Sequence, residues 1–255
     1  MNKTKTQAFT SKNILEKLVN HYGLPAFLFT VTGNLNFTIN GDKADKKVEL
    51  VPYPSYKAIE QYAKNVLLVF EDLWRLRTDM VASRISRYAG YHDKIDARSC
   101  AVVKINKEAS RDFLNKNHLM GYANAAYHYA LIHEKQLVAA AVFSKGRNMD
   151  RLPEGKKSFE MVRFATIPFL TVTGGLSKML HKFAGEYKPG DVMTYIDALS
   201  GETAALKRLG FEEMGFTNPV ELFVNTKTHE RFFKANEGTD LRFMTVGNYK
   251  LVKTF

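Results

Sequence analysis

Apolar positions along the chain change period repeatedly, and each change marks an element. In residues 13–22, Ile14, Leu15, Leu18 and Val19 recur at helical spacing, and Gly23-Leu24-Pro25 ends the run, which predicts a short helix. Residues 26–32 and 35–39 are apolar and β-branched around Gly33-Asn34 and predict a strand pair. The polar run 40–47 reads as a solvated loop. Residues 48–56 carry Pro52 and Pro54 and are read as at most an edge strand or extended connector. A helix over 57–63 and a buried strand over 66–70 come next. Residues 71–88 then carry Trp74, Val81, Ile85 and Tyr88 on one side and Arg75, Arg77, Arg84 and Arg87 elsewhere on the wheel, so one basic amphipathic helix is expected.

A polar joint over 88–97 predicts a domain boundary, giving an N-terminal α/β region over 1–90 and a second domain over 97–255. In the second domain a strand is expected at 101–105, a helix at 108–117 and a hairpin of 127–133 with 136–144. A basic loop follows over 145–158, then a strand over 158–167. Residues 162–215 then alternate strand, Gly-containing turn, helix, strand and helix, with an exit at Leu209-Gly210-Phe211. A strand is expected at 219–224, and the tail reads as strand, Gly247-Asn248 turn, strand.

The turn Thr173-Gly174-Gly175-Leu176-Ser177-Lys178 is the best candidate for chemistry. Glycines permit close backbone approach, and the free N–H groups of a first helical turn favour a phosphate; an ordinary strand-to-helix connection has the same composition. Neither a GxxxxGK[ST] loop nor a GxGxxG fingerprint is present.

The order of parts around this turn, with the A-x-x-x-L-G-F-E signature at 205–212, resembles the GNAT acyltransferase superfamily over about residues 101–225. That resemblance implies an α+β fold, a GNAT-like mixed sheet flanked by helices. It also implies an acetyl-CoA or related acyl-CoA donor held by Val172, Thr173, Gly174, Gly175, Ser177 and Lys178. Val172 aligns with the superfamily's Arg/Gln position, Gly175 with its first Gly and Ser177 with its small residue.

The pieces VFEDLW (69–74), ARSC (97–100), FLNKNHLMG (113–121), LVAAAVFSKGR (137–147), FEMVRFAT (159–166), TGGLSKML (173–180) and VGNYK (246–250) resemble phage and mobile-element proteins. In those proteins a GNAT-like domain follows a nuclease-related segment. Through Arg163, Ser177 and Asp197 the chain is also similar to phage Mom-type proteins that modify adenine in DNA. This implies catalytic roles for Asp197, Arg163 and Ser177, and His118, an imidazole that titrates near neutrality, is a further catalytic candidate as a proton shuttle. Each has a structural alternative: an ion pair with Glu160 or Asp197 for Arg163, a turn or cap for Asp197 and Ser177, a loop-stabilising imidazole for His118. Residues 1–90 on this reading contain a decayed nuclease-like segment.

Charge and composition narrow the partners. The net charge of +11 points to a polyanion, and DNA is the expected partner, with Arg75, Arg77, Arg84, Arg87 and Arg147 as candidate contacts. A single cysteine, Cys100, rules out a disulfide framework, and the histidines lack metal-ligand spacing, so no metal is expected. No run approaches the ~20 apolar residues of a membrane span, and the expected location is cytoplasmic. Three functions fit: a base-modifying transferase, a non-catalytic DNA-binding module, and an N-acetyltransferase of a small amine or protein.

Overall fold

The computed structural model describes residues 8–41, 45–53, 55–56, 66–199 and 203–255. They form two compact units. The first unit comprises residues up to 91, residue 199 and residues 219–246; the second comprises 92–198, 203–218 and 247–255. The chain first passes between units at Tyr91–His92, and residues 219–246 return to the first unit.

The first unit opens with α1 (Ser11–Asn20), capped by Thr10, whose hydroxyl accepts from the Asn13 amide at 3.4 Å. Ile14 and Leu18 are its buried face. A four-stranded sheet follows in the order β1 (Phe29–Gly33), β2 (Asn36–Ile39), β3 (Lys46–Val51) and β4 (Leu67–Phe70), the last pair parallel. Here β3 departs from the edge-strand expectation. It lies between β2 and β4, because it ends at Val51 and Pro52 therefore takes no ladder position.

The expected single helix over 71–88 is broken. Helix α2 (Glu71–Leu76) and helix α3 (Thr78–Ala89) meet at Arg77, whose φ of −133° and ψ of 42° are not helical. Gly90 closes α3 in the left-handed region at φ 81°, donating to Arg87 and Ser86 carbonyls. The helix expected over 57–63 lies outside the described residues.

Residues 219–246 supply a three-stranded sheet in the order β14 (Arg231–Phe232), β13 (Glu221–Val224) and β15 (Leu241–Met244). Side chains explain their return. Arg231, its side chain only 11 % exposed, donates through Nε and Nη2 to the fully buried Asp72 at 2.5 and 2.9 Å, and Phe243 packs edge-on against Tyr56 at 5.1 Å. A charge that cannot reach water must be paired, and Asp72 is the partner.

The second unit carries the expected α+β architecture, a seven-stranded mixed sheet flanked by helices. Its order is β12 (Glu212–Phe216), β16 (Asn248–Thr254), β11 (Asp191–Asp197), β9 (Ser158–Thr166), β8 (Gln136–Phe143), β7 (Tyr127–His133) and β6 (Ala101–Lys104). The tail strands β15 and β16 belong to different sheets, so the Gly247-Asn248 turn does not make a hairpin of them. A parallel pair, β5 (Asp93–Asp96) with β10 (Leu170–Thr173), lies apart from the large sheet. The sequence had read β5 as part of a polar joint; its alternation is weak, and a partner some 77 positions away in sequence (170 against 93) makes it a strand.

Helices α4 (Lys107–Asn117) and α5 (Gly175–Tyr187) cover opposite faces of the sheet. Along β8, Ala139, Ala141 and Phe143 pack with Met179, Leu180 and Phe183 of α5, while Ala140 and Val142 pack with Phe113 and Leu114 of α4. Period-2 alternation thus divides one strand between two cores. Phe183 stacks on Phe143 at 4.1 Å and is fully buried, a burial worth about 3 kcal/mol. The last helix, α6 (Thr203–Arg208), leads through Gly210, at φ 84°, into β12.

Candidate active site

The parallel strands β9 and β11 pair over only three positions, Asp191 with Ser158, Val192 with Phe159 and Met193 with Glu160. Both continue well beyond. β9 runs on to Thr166 along β8, and β11 runs on to Asp197 along β16, without pairing with each other. The divergence has a local cause: a bulge in β9 at Val162, between the pairs Phe143–Met161 and Val142–Arg163, bends that strand and raises its twist. At the crotch of the resulting fork the Thr194 hydroxyl donates to the Met161 carbonyl at 2.9 Å. Past it, among the described residues, the two strands do not pair with each other, the geometry an extended ligand needs to add to a strand edge.

The expected cradle lies at the start of α5. Gly174 is the N-cap at φ 75°, a conformation that favours glycine, and no side chain caps the helix. No acidic residue occupies the first turn. The first amide that bonds back is Lys178, to the Gly174 carbonyl at 2.9 Å, and among the described residues the N–H groups of Gly175, Leu176 and Ser177 make no backbone hydrogen bond. Gly175 is required for packing: a Cβ there would stand 2.8 Å from Leu131 Cδ1 and 3.0 Å from Val172 Cβ. These features fit an anionic diphosphate, which needs convergent N–H donors at the positive end of a helix.

The other sequence-predicted residues fall into place with differing roles. Val172 is buried, with its side chain in the core behind the turn. Thr173 is exposed and ends β10. Lys178 is committed elsewhere: its ammonium donates to the carbonyls of Ala97 and Cys100 at 2.8 and 2.6 Å. It closes the 3-10 turn of residues 97–99 onto α5, with two of its three N–H donors used there. Ser177 is half-buried, its hydroxyl 3.3 Å from His181 Nδ1.

Arg163 leaves the bulged strand and donates to the Gly121 carbonyl at 3.2 Å and the Val162 carbonyl at 2.8 Å. Burial lowers its pKa, partly offset by Glu160. The ion pair with Asp197 or Glu160 offered as its structural alternative is replaced by these carbonyl bonds. Their consequence is that Arg163 ties the turn after α4 to β9. His118 caps α4 in that turn, and its Nδ1 accepts from the Met120 amide at 3.1 Å. Asp197 is exposed at the end of β11, and Tyr195, two positions earlier, has a 39 % exposed side chain on the same strand.

The arginines expected to contact DNA have differing surroundings. Arg75 bonds Glu71 through Nε and Nη2 at 2.9 and 2.6 Å; Arg77 sits at the helix break; Arg84 is half-buried; Arg87 is exposed. Arg147 is exposed in the long loop, its backbone bridging to Ser158. The carboxylates of VFEDLW are likewise occupied, Glu71 by Arg75 and Asp72 by Arg231. Among the described residues no group of three His, Cys, Asp or Glu is arranged to hold a metal, and no helix is long and apolar enough to cross a membrane. Sequence reasoning missed Thr194, which lies in no quoted motif, and the carbonyls of Ala97 and Cys100, because nothing in the ARSC piece signals that its backbone meets Lys178.

No protein-family profile and no curated protein matches the sequence. Solved structures do. An IAA acetyltransferase from Bacillus cereus ATCC 14579 is similar at 16 % identity and a TM-score of 0.42, over 62 % of this chain and 100 % of that one. Arabidopsis thaliana Naa50 with the bisubstrate analogue CoA-Ac-MVNAL is similar at 11 % identity and 0.42, over 62 % and 99 %. A Bacillus subtilis acetyltransferase in complex with CoA is similar at 14 % identity and 0.41, over 61 % and 99 %.

Proposed function

We propose that the second unit is an acyltransferase that moves an acyl group from an acyl-CoA donor to an amine. The observation that carries this reading is the fork between β9 and β11, in one unit with a helix whose first turn offers three uncommitted N–H groups. An extended pantetheine arm carries amide groups that match an open strand edge, and its diphosphate matches the start of α5. In the transfer the amine nitrogen attacks the thioester carbonyl, a C–N bond forms, the C–S bond breaks, and the thiolate leaves with one proton. Asp197 takes the proton from the amine, and the Tyr195 hydroxyl gives one to the thiolate. Arg163 acts as a positioning residue through Gly121, holding the His118 turn beside the fork.

Within this reading the acceptor is an exocyclic amine of a nucleic-acid base, supported by the net charge of +11. A base in a duplex must be flipped out or met single-stranded. The test is calorimetric titration with CoA, followed by mass spectrometry of nucleosides from expressing cells with Asp197→Ala as control. Acylated nucleosides that vanish in the control support both the reaction and the acceptor. CoA binding with acylation of small amines alone keeps the transferase and removes the base. DNA binding without any CoA binding overturns the transferase in favour of a recognition module, a reading that the commitment of Lys178 to protein carbonyls supports.

A further inference from the structure

The long loop between β8 and β9, basic in sequence, is a built platform and not a slack connector. Arg151 pins it: its Nη2 donates to the buried Asp191 at 2.7 Å and to the Ser158 hydroxyl at 3.2 Å, tying the loop to the starts of β11 and β9. Backbone bonds stitch its ends. Arg147 and Ser158 each donate an amide to the other's carbonyl at 2.9 Å, and the Gly190 amide donates to the Lys157 carbonyl at 2.9 Å. Gly190 lies so close to the loop that a Cβ there would stand 3.0 Å from Lys156 Cβ and from both Leu152 methyls.

What this platform presents is charge. Lys145, Arg147, Lys156 and Lys157 of the loop, with Lys188 at the end of α5, are all exposed. They share one end of the unit: the Lys156 ammonium donates to the Lys188 carbonyl at 3.4 Å, and a Cβ on Gly146 would stand 3.1 Å from Lys157 Cβ. Among the described residues none of the five forms an ion pair. The loop's own acids, Asp150 and Glu154, pair with none of them, and Asp191 is taken by Arg151. Like charges held together on a pinned loop repel one another, and a polyanion relieves that repulsion.

The patch lies at the opposite end of the sheet from the fork. It adjoins the start of β11 at Asp191, and Asp197 ends that strand six residues on, about 20 Å away at ~3.3 Å per residue. A stacked nucleic-acid strand advances about 3.4 Å per nucleotide, so roughly six nucleotides bridge the two. We infer that this patch holds the phosphate backbone of a single-stranded nucleic acid, away from the base that reacts. Separated, exposed cations match the repeated single charges of such a strand, and a single strand delivers its base without flipping. The inference rests on the nucleic-acid acceptor proposed above.

The full chain is titrated, without acyl-CoA, with a fluorescein-labelled single-stranded DNA of about 20 nucleotides, read by fluorescence anisotropy from about 50 to about 200 mM salt. The triple variant Lys145→Gln/Arg147→Gln/Lys157→Gln should weaken binding at least about tenfold and reduce the slope of log K against log salt by about 2, at about 0.7 per phosphate contact. Arg147→Gln with Lys157→Gln, reducing the slope by about 1.4, serves if the triple variant fails to fold. A matched triple, Lys135→Gln/Lys227→Gln/Lys234→Gln, removes the same charge from exposed positions elsewhere and should stay within about twofold of the parent. Unchanged affinity in the first triple overturns the patch, and so does equal weakening in both, which reduces the effect to net charge. Vesicles containing phosphatidylserine are titrated alongside: loss of vesicle binding with retained DNA binding assigns the surface to lipid and also overturns it. With no donor present, a chain that never acylates a base still gives a full result here, and an unchanged DNA affinity removes the patch without touching the transferase.

Discussion

The Thr194 hydroxyl donates to the Met161 carbonyl at 2.9 Å where β9 and β11 cease to pair. Both strands are paired below this bond and part above it at the Val162 bulge, so the Thr194 side chain makes the last tie before the fork. Thr194 is buried, and its loss leaves a carbonyl without a donor. Thr194→Val should cost about 1–3 kcal/mol in urea denaturation and weaken acyl-CoA binding more than Thr194→Ser does.

Gly175→Ala tests the packing of the cradle. The new methyl meets Leu131 Cδ1 at 2.8 Å and Val172 Cβ and Cγ1 at 3.0 Å. Overpacking of this kind costs about 1–3 kcal/mol. Thermal unfolding should show that loss, and CoA titration should show reduced affinity because the first turn of α5 must shift.

Lys178→Met separates a phosphate ligand from a structural tie. The ammonium serves Ala97 and Cys100, so its removal should destabilise the unit by about 1–3 kcal/mol. The KM for acyl-CoA should change by less than about threefold at a temperature where the variant is folded. A large KM effect at unchanged Tm would return Lys178 to the donor site.

Arg231→Met leaves Asp72 buried without its counter-charge. Burial acts to lower the Arg231 pKa, and the Asp72 charge and hydrogen bonds raise it above the ordinary value. Breaking such a pair costs about 3–5 kcal/mol. The double variant Arg231→Met with Asp72→Leu should recover part of that loss in a denaturation cycle.

Glu186 gives a pH signature. Hydrogen bonds from Lys104, then from the Tyr129 hydroxyl, hold its carboxyl down from 4.5 to about 2. A depressed folded pKa means the contribution is complete above the unfolded value and lost as pH falls from about 4.5 towards about 2. The melting temperature of Glu186→Gln should therefore converge on that of the parent protein at the acidic end of this window and diverge above pH 5, as differential scanning fluorimetry would show.

Local chemistry made much of this legible. The hairpin of β7 and β8 follows from two apolar runs on either side of Glu134-Lys135, both of which adopt positive φ. Gly174 announces a left-handed N-cap because few other residues tolerate φ 75°. The break at Arg77 was not legible, since the apolar periodicity of 71–88 carries straight through it. Nor was the role of Lys178, because a lysine in a first helical turn has the same sequence signature whether it meets a phosphate or a carbonyl.

The sequence by itself determined most of the strands and helices, though not β5 or the break at Arg77, together with the glycine turn before α5 and the net positive charge, since these follow from side-chain period, backbone freedom and composition. Only the tertiary structure decided where β9 and β11 part, which charges are opposed, and that Arg231 answers Asp72 across 159 positions. Those outcomes depend on partners far apart in the chain, and desolvation selects them only when the fold brings them together.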